Sequence, residues 1–349
     1  MEKKKIVFLY TELATYFLAC VEELLKSPGI EVHIVRWEVN SEAPFKFTFS
    51  SGLNVYNRKD YSVEQLHDLV GNINPSAIYC SGWIDKGYMQ VCRPYKGKVP
   101  VIVGFDNQWK GTLKQQLARL ASPFRILNHF SHCWVPGEPQ LEYAKKLGFK
   151  DSRILTGFYS CDHDFFHAQY LENRTQKNTN FPKRFIYAGR YVEHKGISDL
   201  WDAFSELQEE RPNGWELWCL GTGDVPPRLH PKIRHFGFVQ PDAMKPYLRD
   251  TGVFVLPSHF EPWGVVVHEF AAAGFPLICT DEVGASAAFV ENNLNGYIYK
   301  SGDKQALKLA LSRIVNATPL ALKEMGEQSV KKAKSITPKT WAQKLISVL

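Results

Sequence analysis

The chain has 349 residues, of which 44% are apolar, and a formal net charge of +6 at pH 7. It is long enough to bury two cores, and it has no run of eighteen apolar residues and no signal-peptide pattern in residues 1–5. We therefore expect a two-domain cytoplasmic protein, in which the seven dispersed cysteines are reduced core thiols and form no disulfide or zinc framework.

Short apolar segments alternate with helical patterns through the first half of the chain. The predicted strands are residues 6–9, 32–37, 77–80, 99–104, 133–135 and 153–156. A helix is predicted from about residue 14 to residue 25. Such alternation is typical of a parallel sheet covered by helices, so residues 1–166 are predicted to form an α/β domain.

A polar pair, Asp106 and Asn107, follows the predicted strand that ends at residue 104. A carboxylate at the C-terminal end of a parallel strand can orient a hydroxyl group of a ligand or act as a base. An ordinary turn formed by Asp and Asn explains the two residues equally well.

A basic segment extends from Lys86 to Arg125, with eight Lys and Arg side chains and a single acid. Apolar residues recur in it at helical spacing: Trp109, Leu113, Leu117 and Leu120. One interpretation is a helix that lies on the anionic inner face of a membrane and meets a lipid-linked acceptor there. The other, which we favour, is a helix that packs its leucines inward. Nucleic-acid binding is not predicted, because no known module accompanies the charge.

Residues 167–183 are polar and aperiodic, which predicts a linker between two domains. Just before it, Asp162 and Asp164 flank His163. Two aspartates at this spacing can hold a metal ion, but a helix cap is the more ordinary use of such residues. We predict no metal site.

The second half repeats the alternation, with predicted strands at residues 184–188, 215–220, 253–256 and 276–280, so residues 184–337 are predicted to form a second α/β domain. Arg190 and Lys195 lie between the first of these strands and a helical pattern that begins after Gly196. A guanidinium and an ammonium group at one strand-to-helix turn can neutralise a diphosphate without a metal ion. Solvated surface charges are the alternative.

Glu261 and Glu269 lie eight residues apart after the strand at 253–256. Between them, Pro262 suits the start of a helix, Gly264 allows close approach to a ligand, and free amides at Gly264 and Val265 would attract a phosphate. Carboxylates on either side of that helix start could accept hydrogen bonds from sugar hydroxyl groups. The alternative is an N-terminal cap and a solvated helix residue.

Together these motifs resemble those of the retaining glycosyltransferases of family four. The matching elements are Gly189-Arg190, Lys195-Gly196, the run at 220–223, the two glutamates and Asn295-Gly296-Tyr297, and the resemblance is strongest from residue 183 to about 300. It implies a GT-B fold, in which two Rossmann-like domains face each other across a cleft. It also implies that the last helix, residues 338–349, crosses back to the first domain.

The resemblance implies a metal-independent, retaining enzyme without a cofactor that moves a sugar from a nucleotide donor, for which UDP-sugars are the first choice, to a glycan or lipid-linked acceptor. Cell-surface polysaccharide or glycolipid synthesis is the expected setting. The donor diphosphate would be bound by Arg190, Lys195, Gly264 and Val265. Glu261 would contact the donor sugar, Glu269 the ribose, and Val239 and Gly221 the nucleotide.

Two features depart from the family pattern. Asp106 stands where many relatives have histidine, and residues 10–14 lack the usual glycine pair. We still expect Asp106 to be catalytic together with Glu261, and we place Glu12, Asn107 and Trp109 on the acceptor side. A sugar-nucleotide epimerase or hydrolase and a non-catalytic sugar-nucleotide-binding subunit are the alternative functions.

Overall fold

The computed structural model describes residues 3–39 and 46–349. The chain divides into two compact units, Met1–Ser160 with Ile336–Leu349, and Cys161–Ser335. Each unit contains one parallel β-sheet covered by helices, as the alternating pattern predicted.

The first unit contains seven parallel strands in the order β3-β2-β1-β4-β5-β6-β7. In chain order its elements are β1 (Lys4–Tyr10), α1 (Thr15–Leu25), β2 (Ile30–Arg36), β3 (Leu53–Asn57), α2 (Val63–Ile73), β4 (Ala77–Ser81), α3 (Lys86–Cys92), β5 (Val101–Gly104), α4 (Leu113–Arg125), β6 (His132–Val135), α5 (Glu138–Lys146) and β7 (Ile154–Thr156). Alternate residues of β1 point to opposite faces, so Val7 and Leu9 enter one apolar cluster while Ile6 and Phe8 enter the other.

The second unit contains six parallel strands in the order β10-β9-β8-β11-β12-β13. Its elements are α6 (His163–Thr179), β8 (Arg184–Ala188), α7 (Ile197–Glu210), β9 (Glu216–Leu220), β10 (Ile233–His235), α8 (Lys245–Asp250), β11 (Val253–Leu256), α9 (Val265–Ala272), β12 (Leu277–Thr280), α10 (Ser286–Phe289), β13 (Gly296–Tyr299), α11 (Lys304–Asn316) and α12 (Pro319–Ala333). The strand order reverses between β8 and β11, and ligands of open α/β sheets bind at the carboxyl ends of strands at such a point.

The last helix, α13 (Pro338–Ile346), belongs to the first unit, as the family resemblance implied. Its Trp341 is buried and stacks on Trp134 of β6, with ring centroids 4.9 Å apart. Thr337 caps the helix by accepting a hydrogen bond from the backbone amide of Thr340. Burial of a tryptophan on the sheet explains why the end of the chain packs there.

The prediction of an irregular linker at 167–183 is wrong, because residues 163–179 form α6 within the second unit. The Asp162 side chain caps this helix by accepting a hydrogen bond from the Phe165 amide at 3.1 Å. Its apolar face is narrow: Phe166 is buried, and the ring of Tyr170 packs against Gly274. Only a narrow side of α6 contacts the rest of the unit, and most of its residues are polar. The helical spacing of its apolar residues is therefore not visible in the sequence.

The predicted strands are all observed, with ends within two residues of those expected. Three short strands were missed: β3, β10 and β13. Each is the last strand at an edge of its sheet, where one side is unpaired and the apolar pattern is weak. All seven cysteines are buried, as expected, and none of them is in a disulfide bond. Within the described residues, no helix combines the length and hydrophobicity needed to span a membrane.

Candidate active site

Two loops of the second unit meet at the carboxyl ends of β8 and β11, where the strand order reverses. One loop covers residues 189–196 and the other residues 257–264. His259 of the second loop donates its backbone amide to the carbonyl oxygen of His194 in the first, at 2.8 Å. The two sequence motifs therefore form one site, although they are far apart along the chain.

Gly196 permits this close packing of the loops. It adopts a left-handed conformation with φ of +64°, and a Cβ atom there would lie 2.1 Å from the carbonyl oxygen of Pro257. No side chain fits at that distance, so any residue other than glycine would have to move the two loops apart.

We expect Gly196→Ala to lower the unfolding free energy by about 3 kcal/mol or more, because backbone strain and a clash add together. Gly302→Ala is the matched control: Gly302 has a φ of +77° but no atom near its Cβ position, so only about 1 kcal/mol of strain is expected. Thermal and urea denaturation measure both. Equal losses in the two variants would show that the loop contact is not tight.

Lys195 and Glu261 form an ion pair across this loop contact. Their side chains are 16% and 14% exposed, so the pair is largely shielded from solvent and yet reachable by a ligand. The backbone holds Glu261 in place, because its amide donates to Glu282 O at 3.1 Å and its carbonyl oxygen accepts from Gly284 N at 3.0 Å. The loop after β12 thus holds Glu261 in position. Lys195 and Glu261 together present a positive and a negative group side by side before any ligand binds.

Arg190 lies in the same loop as Lys195 and is exposed. The hydroxyl group of the buried Tyr187 donates to the Arg190 carbonyl oxygen at 2.7 Å and fixes the backbone there. The backbone of Arg190 is therefore fixed, while its exposed guanidinium group can reach a ligand.

The helix after Glu261 begins at Val265 and not at Pro262 as the sequence suggested. Gly264 is the residue before the helix, with φ of +88°, a conformation that only glycine adopts readily. No side chain caps the helix, so no capping side chain occupies its first amides. The helix therefore begins three residues later than expected, and its start coincides with Gly264 and Val265, whose amides were predicted to bind an anion.

Glu269 lies on α9 and is half-buried. Burial, reinforced by the neighbouring Asp162 carboxylate, raises the pKa of Glu269 to about 7. The orientation of α9 is set by the buried His268, whose Nδ1 accepts from the Cys161 amide at 3.1 Å and whose Nε2 lies 2.9 Å from Ala333 O. A carboxyl group that is easily protonated near neutrality therefore lies at a fixed position.

The two predicted nucleotide contacts lie at the strands on the other side of β8. Gly221 directly follows β9, and its amide donates to Gly237 O at 2.7 Å. A Cβ atom at Gly221 would lie 1.9 Å from Gly189 O, so glycine is required for the β8 and β9 loops to meet. Val239 is half-buried in the segment after β10.

In the first unit, Asp106 follows β5 and lies among aromatic side chains. The Tyr159 hydroxyl group donates to Asp106 Oδ2 at 3.3 Å. Burial raises the pKa of Tyr159, and the charge of Asp106 adds to that effect. Tyr16 packs edge-on against Tyr159, at 5.6 Å between ring centroids. A carboxylate beside aromatic rings is suited to binding a sugar, whose hydroxyl groups and apolar ring faces match these two surfaces.

The other predicted acceptor-side residues lie elsewhere in that unit. Glu12 and Asn107 are exposed in the loops after β1 and β5. Trp109 is half-buried and packs on Tyr143 of α5, with centroids 5.6 Å apart, while the Lys146 ammonium lies over its ring. This packing gives Trp109 a structural role in addition to any contact with a ligand.

The sequence did not reveal Tyr159 beside Asp106 in the first unit, nor Asp162 and the His259–Asp199 pair near the candidate site in the second unit. His259 Nε2 lies 2.6 Å from Asp199 Oδ2 and orients the loop that carries Glu261. Asp162 was predicted as a helix cap, which is confirmed, but not as a neighbour of Glu269. No group of three or more metal-ligating side chains occurs among the described residues. These residues are far in sequence from the side chains that they contact, so their roles could be identified only from the folded structure.

Residues 182–317, which include both loops of the site, match the family model for group 1 glycosyl transferases. The lipopolysaccharide core biosynthesis glycosyltransferase LpsE of Rhizobium meliloti is 31% identical over 238 residues, which are 64% of this chain and 66% of LpsE. The chain thus matches just under two thirds of the length of that relative.

An undecaprenol-linked acceptor appears in the name of a second relative. This enzyme, the N,N'-diacetylbacillosaminyl-diphospho-undecaprenol alpha-1,3-N-acetylgalactosaminyltransferase of Campylobacter jejuni, is 21% identical over 85% of this chain and 80% of its own. The crystal structure of Anabaena Alr3699/HepE in complex with UDP and glucose covers 99% of both chains at a TM-score of 0.70 and 14% identity. Residues 182–317 therefore resemble the group 1 glycosyl transferases, and the chain as a whole has the GT-B fold.

Proposed function

We propose that this protein is a retaining, metal-independent glycosyltransferase that moves a sugar from a UDP-sugar to a glycan or lipid-linked acceptor. The observation that carries the proposal is the Lys195–Glu261 pair at the reversal point of the second sheet, within the segment that matches the glycosyl transferase family. The ammonium group of Lys195 can bind a phosphate, and the adjacent carboxylate of Glu261 can bind a sugar hydroxyl group. A nucleotide-sugar carries its diphosphate and its sugar next to each other, so it would fit this arrangement.

Bond cleavage leaves negative charge on the diphosphate and positive charge on the sugar ring. Lys195, Arg190 and the amides of Gly264 and Val265 would stabilise the leaving diphosphate. Glu261 would accept a hydrogen bond from the transferred sugar, and Glu269 would accept one from the ribose. Because these groups already neutralise the diphosphate, the proposed reaction needs no divalent ion.

In the proposed reaction, the bond between the anomeric carbon and the diphosphate oxygen breaks while an acceptor oxygen attacks from the same face. The acceptor proton passes to the departing phosphate oxygen. Asp106, supported by Tyr159, would orient the acceptor hydroxyl group through a hydrogen bond.

The substrate classes are proposed from similar proteins. The structure of HepE with UDP and glucose supports a UDP-sugar donor. The names of LpsE and of the Campylobacter enzyme support acceptors in lipopolysaccharide or undecaprenol-linked glycans.

A thermal-shift screen of sugar nucleotides tests the donor. A donor present at a hundred times its dissociation constant should stabilise the protein by about 2.7 kcal/mol, because it binds only the folded state. We expect UDP-sugars to give the largest shifts and EDTA to leave them unchanged. A shift that disappears with EDTA would contradict metal independence.

Incubation of the stabilising donor in labelled form separates the proposed function from its alternatives. A transferase should leave the donor intact until an acceptor glycolipid is added. Rapid conversion without acceptor would indicate an epimerase or hydrolase. Tight binding without turnover, across lipid-linked and soluble glycans, would indicate a non-catalytic binding subunit.

A further inference from the structure

The helix α4 presents its apolar residues to solvent, opposite to the inward packing that we favoured from the sequence. Leu113, Leu117, Leu120 and Phe124 are 72%, 63%, 70% and 79% exposed. At about 100° per residue they fall within about 60° of one another, so they form a single row about 16 Å long. We call these four residues the outer row of α4.

The side of α4 that faces the protein is polar and small. Gln115 donates through Nε2 to Gln108 O at 2.6 Å, and the buried Ser122 donates to Leu147 O at 2.6 Å. Ala118, on the same side, is half-buried. Hydrogen bonds from Gln115 and Ser122 thus fix the rotation of the helix with its leucines outward. Isolated exposed apolar residues are common in proteins, but a continuous row of them along a helix whose polar side faces the protein is unusual.

Basic side chains lie on both sides of the outer row. Lys114 and Arg125 fall on one flank and Arg119 on the other, and all three are exposed. Within the described part of the chain, none of the three lies within ion-pair distance of an acid. A row of apolar side chains flanked by long cationic ones matches an anionic bilayer, where the apolar groups enter the interface while the charges reach the lipid phosphates.

We propose that the outer row of α4 and its flanking basic residues dock this protein on an anionic lipid bilayer. A second copy of the chain fits the same surface less well, because a symmetric contact through α4 would bring like charges together. The proposal goes beyond the proposed function, since it holds whichever sugar is transferred, and its test requires no turnover.

Vesicle flotation of the full chain tests the proposal. We expect at least tenfold tighter binding to vesicles of equal parts phosphatidylglycerol and phosphatidylcholine than to phosphatidylcholine alone, because each basic residue near an anionic surface contributes about fivefold. Leu117→Gln with Leu120→Gln should weaken binding by about tenfold or more. The matched control replaces Leu229 and Leu320, which are 96% and 62% exposed in the second unit, by Gln and should bind as the unaltered chain does.

The basic residues are tested separately with Lys114→Gln and Arg119→Gln. This variant should lose most of the preference for anionic over neutral vesicles and should be less sensitive to added salt. Because all seven native cysteines are buried, Leu120→Cys can also be labelled selectively with an environment-sensitive dye. Its emission should shift to the blue on anionic vesicles, and the same dye at Leu229→Cys should not respond.

Three results would overturn the proposal. The unaltered chain could fail to float with anionic vesicles, or the double leucine variant could bind them undiminished. Alternatively, size-exclusion chromatography could show a dimer that the double leucine variant dissociates while no vesicle binding occurs, which would assign the outer row to self-association. Circular dichroism and thermal denaturation of each variant establish that it is folded.

Discussion

Replacing Lys195 by Met should reduce the rate of sugar transfer by about 100- to 1000-fold, the usual effect of removing one group that stabilises charge in a transition state. Methionine keeps an unbranched chain of nearly the same volume and lacks the terminal ammonium group. Initial rates at saturating donor and acceptor measure the effect on the chemical step. Full turnover in Lys195→Met would contradict the assigned role.

The same substitution leaves the Glu261 carboxylate without its partner in a shielded position, and we expect it to cost about 1–3 kcal/mol of stability. Adding Glu261→Gln removes the unpaired charge. The double variant should therefore regain most of the lost stability and none of the lost activity. This contrast separates a catalytic role of the pair from a purely structural one.

Lys308→Met is the matched control for this pair. The Lys308 side chain is also 16% exposed and pairs with Glu206 and Glu210, away from the candidate site. Its loss should lower the melting temperature but leave the rate of transfer unchanged. A comparable fall in rate would show that the activity responds to stability alone.

Replacing Glu269 by Gln should weaken donor binding and, at the same time, stabilise the folded protein above pH 7. Charged hydrogen bonds contribute about 1.5–3 kcal/mol, so the loss of the carboxylate should raise the donor dissociation constant roughly 10- to 100-fold. Titration calorimetry with the donor measures this loss.

The stability effect follows from the direction of the pKa shift. Burial raises the pKa of Glu269 from 4.5 to about 7, so the folded state favours the protonated form. That contribution is fully present below about pH 4.5 and is lost as pH rises through 7. At about 1.4 kcal/mol per pKa unit, Glu269→Gln should gain up to about 3 kcal/mol at pH 8 and little near pH 4.5. Glu209→Gln, on the exposed surface of α7, should change neither stability nor binding.

The pH dependence of donor binding provides a further check on Glu269. Binding to the unaltered protein should weaken below pH 7, because a protonated carboxyl group is a weaker acceptor for the ribose hydroxyl group than a carboxylate. Asp162→Asn keeps the helix cap but removes the neighbouring charge, which should lower the pKa of Glu269 and move the midpoint of the profile to lower pH. A profile that is identical in Asp162→Asn would contradict the coupling.

Glu261 and Glu269 show which parts of the candidate site could be predicted from the sequence and which required the structure. Their position after a strand, and the glycines at 189, 196 and 264, predicted two ligand-binding loops. These features are local, because apolar periodicity and glycine conformations are encoded by neighbouring residues. The pairing of Glu261 with Lys195, 66 positions away, and the influence of Asp162 on Glu269 are not local and required the folded chain.

The sequence by itself determined the parallel sheets, the helices between them and the motifs by which residues 182–317 resemble the glycosyl transferases. Only the tertiary structure decided that residues 163–179 are helical and that α4 turns its leucines outward. In both cases contacts with the body of the protein decided the outcome. On α6 the narrow stripe around the buried Phe166 left no clear periodic pattern in the sequence. On α4 the pattern was clear, but the contact of the buried Ser122 decided which side of the helix faces the protein.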